Sequence, residues 1–254
     1  MEIRSYVQSL QRSREARSDS RRPDSFRLRG REWTLLPDVF APPYTTSTDA
    51  AMELLGFHED HQLAGNGSFL EIGCGTGVIA VSAALSGCER VLATDINPLA
   101  VRNTALNAQR HGIADRVRAQ QSDLFDALDP HARFDTVYWH SNFVLAPSDY
   151  RYASLHERAY VDPGYAAHRR YLEQAPQWTT EGGRVLLHFS NRGDLARLHA
   201  LADETERELS VVRSMHVEEG RDTIEYLLIE IARRDASSPR PKRVGAATSN
   251  RQGS

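Results

Sequence analysis

One segment, Leu70-Glu71-Ile72-Gly73-Cys74-Gly75-Thr76-Gly77, constrains what this 254-residue chain can fold into more than any other. An apolar run opens into three glycines spaced G-x-G-x-G. About one helix-length later a second apolar run, Val91-Leu92-Ala93-Thr94, ends on Asp95. That order spells a strand, a tight backbone turn, a helix N-terminus and a neighbouring strand whose carboxylate can grip a ribose diol. Glycine is required because a cofactor must approach the backbone more closely than a Cβ allows. The two segments together specify a nucleotide-type cofactor site.

The spacing narrows the cofactor. Dinucleotide sites use G-x-G-x-x-G, whose last glycine lets the helix pack closely beneath a pyrophosphate. Here the third glycine comes one residue early, and Val78 stands where that pattern needs it. S-adenosylmethionine (SAM) has no pyrophosphate to cradle and asks only for a loop that passes its amino-acid end and an acid for its ribose. Asp95 supplies the acid. Glu71, at the end of the first strand, is placed to order the glycine loop by accepting backbone N–H bonds, and Ile96 is placed to pack on an adenine face.

The surrounding rhythm is strand–helix alternation from Ser68 onward, the pattern of a parallel sheet with helices on both faces. Strands are expected near 68–72, 91–95, 116–120, 134–139 and 183–189. Helices are expected near 77–86, 98–112, 150–176 (broken around Pro163-Gly164) and 193–206. A final antiparallel pair is expected near 209–217 and 222–232, joined by a tight turn at Glu218–Asp222. Upstream, residues 1–22 read as a polar, arginine-rich helix with a thin apolar stripe of Tyr6, Leu10 and Ile3. Residues 26–35 read as a small hairpin around Gly30. Residues 39–48 form a rigid, hydroxyl-rich loop that caps a helix from Asp49 to Leu55. Three units follow: 1–48 as a helix, hairpin and cofactor-covering segment, 49–234 as the catalytic domain, and 235–254 as a basic tail expected to be disordered.

Charge excludes some partners. Residues 1–32 carry nine arginines against five acids, and residues 233–254 carry five arginines and Lys242 against Asp235, yet the whole chain is at −3. The body is therefore acidic and its ends basic, the opposite of a nucleic-acid enzyme that gathers positive charge around its cleft. No apolar run approaches the ~20 residues needed to span a bilayer. The start of the chain lacks a signal peptide's apolar stretch, so a cytoplasmic location is expected. Cys74 and Cys88, the only cysteines, have no metal-ligand company, and no metal is expected.

Phe69–Ala80 with Thr94-Asp95-Ile96-Asn97-Pro98 closely resembles the cofactor half of the class I SAM-dependent methyltransferases. Asp162-Pro163-Gly164-Tyr165, His168–Pro176 and Glu181–Leu187 add a likeness to the release-factor glutamine methyltransferases and related N-methyltransferases. The resemblance runs from about residue 35 to 190. It implies a Rossmann-like seven-stranded α/β sheet and SAM as cofactor. Glu71, Gly73, Gly75, Gly77, Asp95 and Ile96 would form the cofactor site, with Asp123 accepting the adenine amino group and Leu124 bracketing the ring. The fourth-strand exit departs from that group: where it carries Asn-Pro-Pro-Tyr, this chain has His140-Ser141-Asn142-Phe143.

His140 is expected to accept a proton, its pKa lying near working pH. Asn142 is expected to orient the acceptor or the cofactor carboxylate, and Phe143 to pack beside the reacting group. Tyr44, Tyr160, Tyr165 and Tyr171 are candidates for an aromatic pocket around the sulfonium, with core packing the role of at least half. Ser190-Asn191 are expected to face the cleft. His156, His168 and His188 read as structural. The altered loop leads to N-methylation (or O-methylation) of a small molecule as the expected reaction. Protein glutamine or RNA N-methylation and a SAM-consuming cyclase of the azetidine-carboxylate synthase type are the alternatives. Nothing in the sequence sets the oligomeric state.

Overall fold

The structure is a computed structural model that describes residues 2–57 and 67–234, residues 2–5 by their backbone alone. Seven strands form one sheet in the order β10-β11-β9-β6-β3-β4-β5. These are β3 (Ser68–Ile72), β4 (Arg90–Asp95), β5 (Val117–Gln121), β6 (Phe134–His140), β9 (Thr179–Ser190), β10 (Arg207–Glu219) and β11 (Asp222–Arg233). β3 pairs in parallel with β4 and β6, β4 with β5, and β6 with β9. β11 runs antiparallel between β9 and β10, the expected closing pair. β3 is buried along its whole length because both faces of the sheet are covered. One face packs on α2 (Ser47–Leu55) and α3 (Val78–Leu85), the other on α5 (Ala166–Gln174) and α6 (Leu195–Glu204).

The chain runs outward from β3 to β4 and β5, then returns to place β6 on the other side of β3. That reversal opens a crevice above the carboxyl ends of β3 and β6, where α/β sheets bind ligands. The glycine turn and the His140–Phe143 loop leave the sheet there.

Two expectations fail locally. Residues 150–165 do not belong to a helix. They form a 3₁₀ turn (Leu155–Ala159) and a two-residue strand, β8 (Asp162–Pro163), parallel to β7 (Leu145–Ala146). Gly164 at φ 60° and Tyr165 at φ 56° are left-handed, so the helix can begin only at Ala166. Asp162 then accepts the N–H groups of Ala167 and His168 at its start. Likewise α2 starts at Ser47, so Thr48 lies inside the helix rather than capping it. The expected tail and the side chain of Ile3 fall outside the described residues.

The amino-terminal part packs onto this frame through α1 (Glu2–Ser18) and a hairpin of β1 (Ser25–Leu28) and β2 (Arg31–Thr34). Two fully buried asparagines on α4 (Pro98–Arg110), one turn apart, hold the hairpin. Asn103 accepts the Leu36 N–H (2.7 Å) and donates to the Thr34 carbonyl (2.8 Å). Asn107 accepts the Thr34 N–H (2.7 Å) and donates to the carbonyls of Thr34 (3.0 Å) and Thr76 (2.8 Å). Asn107 thus ties the hairpin and the glycine turn to one helix. Replacing it by alanine strands buried backbone groups. Urea denaturation of Asn107→Ala should show a loss of about 2–3 kcal/mol, and a loss below about 0.5 kcal/mol would contradict this account.

Candidate functional site

Two carboxylates shape the turn after β3. Glu71 is buried, and its Oε2 accepts the Ala80 N–H (2.8 Å) in the first turn of α3. Burial pushes its carboxyl well above the usual range, with the Ala80 bond pulling the other way. Asp95, at the tip of β4, accepts the Gly75 N–H on Oδ2 (2.9 Å) and the Asn97 N–H on Oδ1 (2.8 Å). It does not cap α4: Asn97 does, accepting the Leu99 N–H (3.0 Å). The carboxylate at the strand tip is thus spared the capping role and stands on the cavity wall.

The three glycines serve different ends. A Cβ on Gly75 would meet nothing within 4 Å, so this residue offers bare backbone to the cavity. A Cβ on Gly77 would sit 2.8 Å from the Thr104 Cα, and Gly77 does not line the cavity. Its glycine is required by the close approach of α3 to α4 rather than by a ligand, a correction to its expected place in the cofactor site.

The cavity encloses about 670 Å³, within the range of small-molecule sites. Glu71, Gly73, Gly75, Asp95, Ile96, Asp123 and Leu124 all line it, as do His140, Asn142 and Phe143. Leu124 is held in the left-handed region at φ 51°, a strain that branched side chains rarely accept. Asp123 is not free: it pairs with Arg170 (2.8 Å) and lies 3.8 Å from Arg158.

The β6 exit differs chemically from expectation. His140 sits opposite His188 on β9, their rings 4.4 Å apart and edge-on. Burial pushes the His140 imidazole down to about 4, so it is neutral at physiological pH and offers a hydrogen-bonding nitrogen rather than a proton reservoir. Asn142 spends its amide N–H groups on the carbonyls of Arg158 (2.7 Å) and Val161 (2.8 Å), which leaves only its buried Oδ1 without a partner among the described residues. Phe143 is fixed by its carbonyl, which accepts the Tyr165 hydroxyl (2.5 Å).

A cover completes the enclosure. One face of α1 (Ser9, Arg12, Glu15 and Ala16) lines the cavity at the spacing of a single helical stripe, with Asp19 just beyond the helix end. Leu10 buries itself among Val144, Ala146 and Val161. Ser9 donates to the Tyr160 carbonyl (2.9 Å), and Ser13 shares a proton with His156 Nδ1 (2.7 Å). Burial pushes His156 down to about 4 as well. Arg22 threads three carbonyls, of Ala16, Leu36 and Val39.

Of the four tyrosines, Tyr44 and Tyr160 reach the cavity, whereas Tyr165 and Tyr171 are buried and do not line it. Ser190 and Asn191 do not line it either, because Ser190 is buried at the strand end and Asn191 turns to the Thr223 carbonyl; Arg192 takes that place. Sequence reasoning missed Arg192, Arg12 and, apart from Tyr160, the 155–160 wall. That wall's residues read as helix until Gly164 and Tyr165 are seen left-handed.

Imidazole resonances offer a check. In NMR titrations, with His140→Phe and His156→Phe used for assignment, both rings should stay neutral from pH 8 to pH 6 and protonate only towards pH 4. A midpoint near 6.5 for either would contradict the burial described here.

Comparison with known proteins agrees with this fold. The family described as ribosomal protein L11 methyltransferase (PrmA) matches residues 46–138. A ribosomal protein L11 methyltransferase of Pelotomaculum thermopropionicum is 44% identical over 66 residues, 26% of this chain and 21% of the relative. A release factor glutamine methyltransferase of Pasteurella multocida is 31% identical over 140 residues, 49% of this chain and 46% of the relative. The chain thus spans between a fifth and a half of the length of these relatives. The crystal structure of a ribosomal protein L11 methylase from Lactobacillus delbrueckii subsp. bulgaricus shares the fold, with a TM-score of 0.51 and 21% identity over 75% of this chain and 79% of that one. The expectation of a small-molecule acceptor is corrected by these relatives, whose names specify protein acceptors. Among the described residues no helix is long and apolar enough to cross a membrane.

Proposed function

From the premise that this chain is built on the class I SAM-dependent methyltransferase core, we propose that it methylates a nitrogen of a protein acceptor. The observation that carries the reading is one cavity, at the reversal of the sheet order, that joins the Gly73–Gly75 turn, Asp95, Asp123 and the His140–Phe143 loop. The residues fit the cofactor. Asp95 has the place and charge to accept both ribose hydroxyls, and Gly75 gives open backbone beside it. Asp123 would accept the adenine amino group, with Ile96 and Leu124 flanking the ring. Glu71 would act on the cofactor indirectly, by holding α3 and the turn in place.

When bound, SAM supplies an activated methyl group. Transfer to a nitrogen would form the nitrogen–carbon bond as the carbon–sulfur bond breaks, with adenosylhomocysteine leaving with the bonding electron pair. The nitrogen's proton would be released to solvent when the products leave. The protein's part is positioning and the exclusion of solvent. Neutral His140, on the cavity wall at the β6 exit, would accept a hydrogen bond from the target N–H and so aim the nitrogen's lone pair. The α1 cover would keep water away. A protein acceptor is supported by the names of the relatives. Carboxylates outnumber guanidiniums on the cavity wall, which disfavours a nucleic-acid acceptor.

The test is to incubate the protein with SAM and either ribosomal protein L11 or a release factor. The expected result is a gain of about one methyl mass on one of them, blocked by His140→Ala, with adenosylhomocysteine released in step. Methylthioadenosine released from SAM alone, or no mass gain on either protein, would overturn the reading. Separately, Asp95→Ala should weaken SAM binding in calorimetry by about 1.5–3 kcal/mol, the scale of lost charged hydrogen bonds. An unchanged affinity would leave Asp95 as a clasp for Gly75 alone.

A further inference from the structure

SAM brings two positive groups, its sulfonium and its ammonium, and one negative group, its carboxylate. The cavity wall mirrors that imbalance, with six carboxylates against the four guanidiniums of Arg12, Arg21, Arg158 and Arg192. Three of the four are engaged. Arg21 lies 3.6 Å from Asp19, Arg158 lies 3.8 Å from Asp123 and over the Tyr152 ring, and Arg192 is 2.8 Å from Glu219. Arg12 stands apart. It is half-buried on the cavity-facing stripe of α1, and among the described residues no hydrogen bond or ion pair holds it.

Its place is well defined by its neighbours. Ser9, one helical turn earlier, is bonded to the Tyr160 carbonyl, and the Arg12 charge acts on the Tyr160 hydroxyl. Asn142, from the β6 exit, holds the carbonyls on both sides of Tyr160, those of Arg158 and Val161. Arg12 therefore adjoins the same short segment that the methyl-transfer loop grips. A half-buried guanidinium with five donors and no acceptor is an incomplete arrangement, and a planar carboxylate completes it best.

We propose that Arg12 is a carboxylate-binding residue of this cavity, so that α1 packed over the site supplies to the ligand the one wall guanidinium without a partner among the described residues. This rests on the SAM-site reading above. Two ligands can bring the carboxylate: the amino-acid end of SAM, or an acidic group of the acceptor protein close to the methylated nitrogen. In either case the amino-terminal helix is a recognition element as well as a cover, and chains lacking it would bind the adenosine part without reading the carboxylate.

Calorimetry on the full chain, wild type, Arg12→Met and Arg12→Lys, with SAM and with 5′-methylthioadenosine tests this. The second probe keeps the nucleoside and lacks the carboxylate. Arg12→Met should lose at least about tenfold in SAM affinity, the scale of a charged hydrogen bond, with methylthioadenosine affinity unchanged and most SAM affinity kept by Arg12→Lys. If SAM affinity is unchanged but KM for the protein methylated in the assay above rises about tenfold at constant kcat, the carboxylate is the acceptor's. Equal losses for both probes overturn the proposal, since they report a damaged cover. So does an unchanged SAM affinity with no rise in KM or with no protein methylated. A wild type that binds no SAM overturns the SAM-site reading itself, a separate result.

Discussion

The contact between Asp95 and the Gly75 N–H, together with that between Glu71 and the Ala80 N–H, holds the geometry on which the rest depends. A turn with three left-handed glycines has many conformations open to it, and its ordering costs entropy. Two carboxylates from adjacent strands remove that freedom by each accepting a backbone donor. Burying them is unfavourable, as their raised pKa values record. The arrangement persists because each carboxylate has hydrogen-bond partners, and because the sheet sets both strand tips side by side.

Around this turn the structure repeatedly spends polar side chains on backbone groups rather than on each other. Asn103 and Asn107 bind the hairpin, Arg22 gathers three carbonyls, and Asn142 gathers two. Each element joined in this way lacks a sheet ladder of its own at that edge, so side chains must satisfy its donors and acceptors. The amino-terminal segment is consequently bound to the sheet and its helices by specific directional bonds, with Leu10 as the apolar anchor of its helix. Phe26, Trp33, Leu35 and Ala41 of the same segment are buried in the core cluster that covers one face of the sheet, so the cover is anchored by apolar burial as well.

Much of the fold was legible in the chain. Strands β3 to β6 lie within a residue of their expected limits. For β3 and β6 this is because a parallel strand buried on both faces must be a short, nearly continuous apolar run, whereas β5 is a mostly polar edge strand. The places of Gly73, Gly75, Asp95 and Asp123 on the cavity wall were legible too, because each lies at or just past the carboxyl end of a strand of the parallel sheet. The region 150–165 was not. Its composition reads as helix, and only the left-handed backbone at Gly164 and Tyr165, with Asp162 pairing into β8, shows otherwise. Likewise the role of Gly77 was misjudged, since nothing local reveals that α4 passes within reach of its missing side chain.

The sequence by itself determined the class of fold and the turn and strand-tip residues that meet on one cavity wall, because hydrophobic periodicity and glycine spacing act over a few neighbouring residues. Tertiary structure decided what the other half is made of. His140 became a neutral hydrogen-bonding group because its burial penalises the charged form. Asn142 became mainly a structural clasp because residues 158–161 fold back onto it. Arg12, unremarkable in a basic helix, became part of the cavity wall because α1 packs on the loop after β6. Burial and long-range neighbours set protonation and availability, and neither is written in the local order of residues.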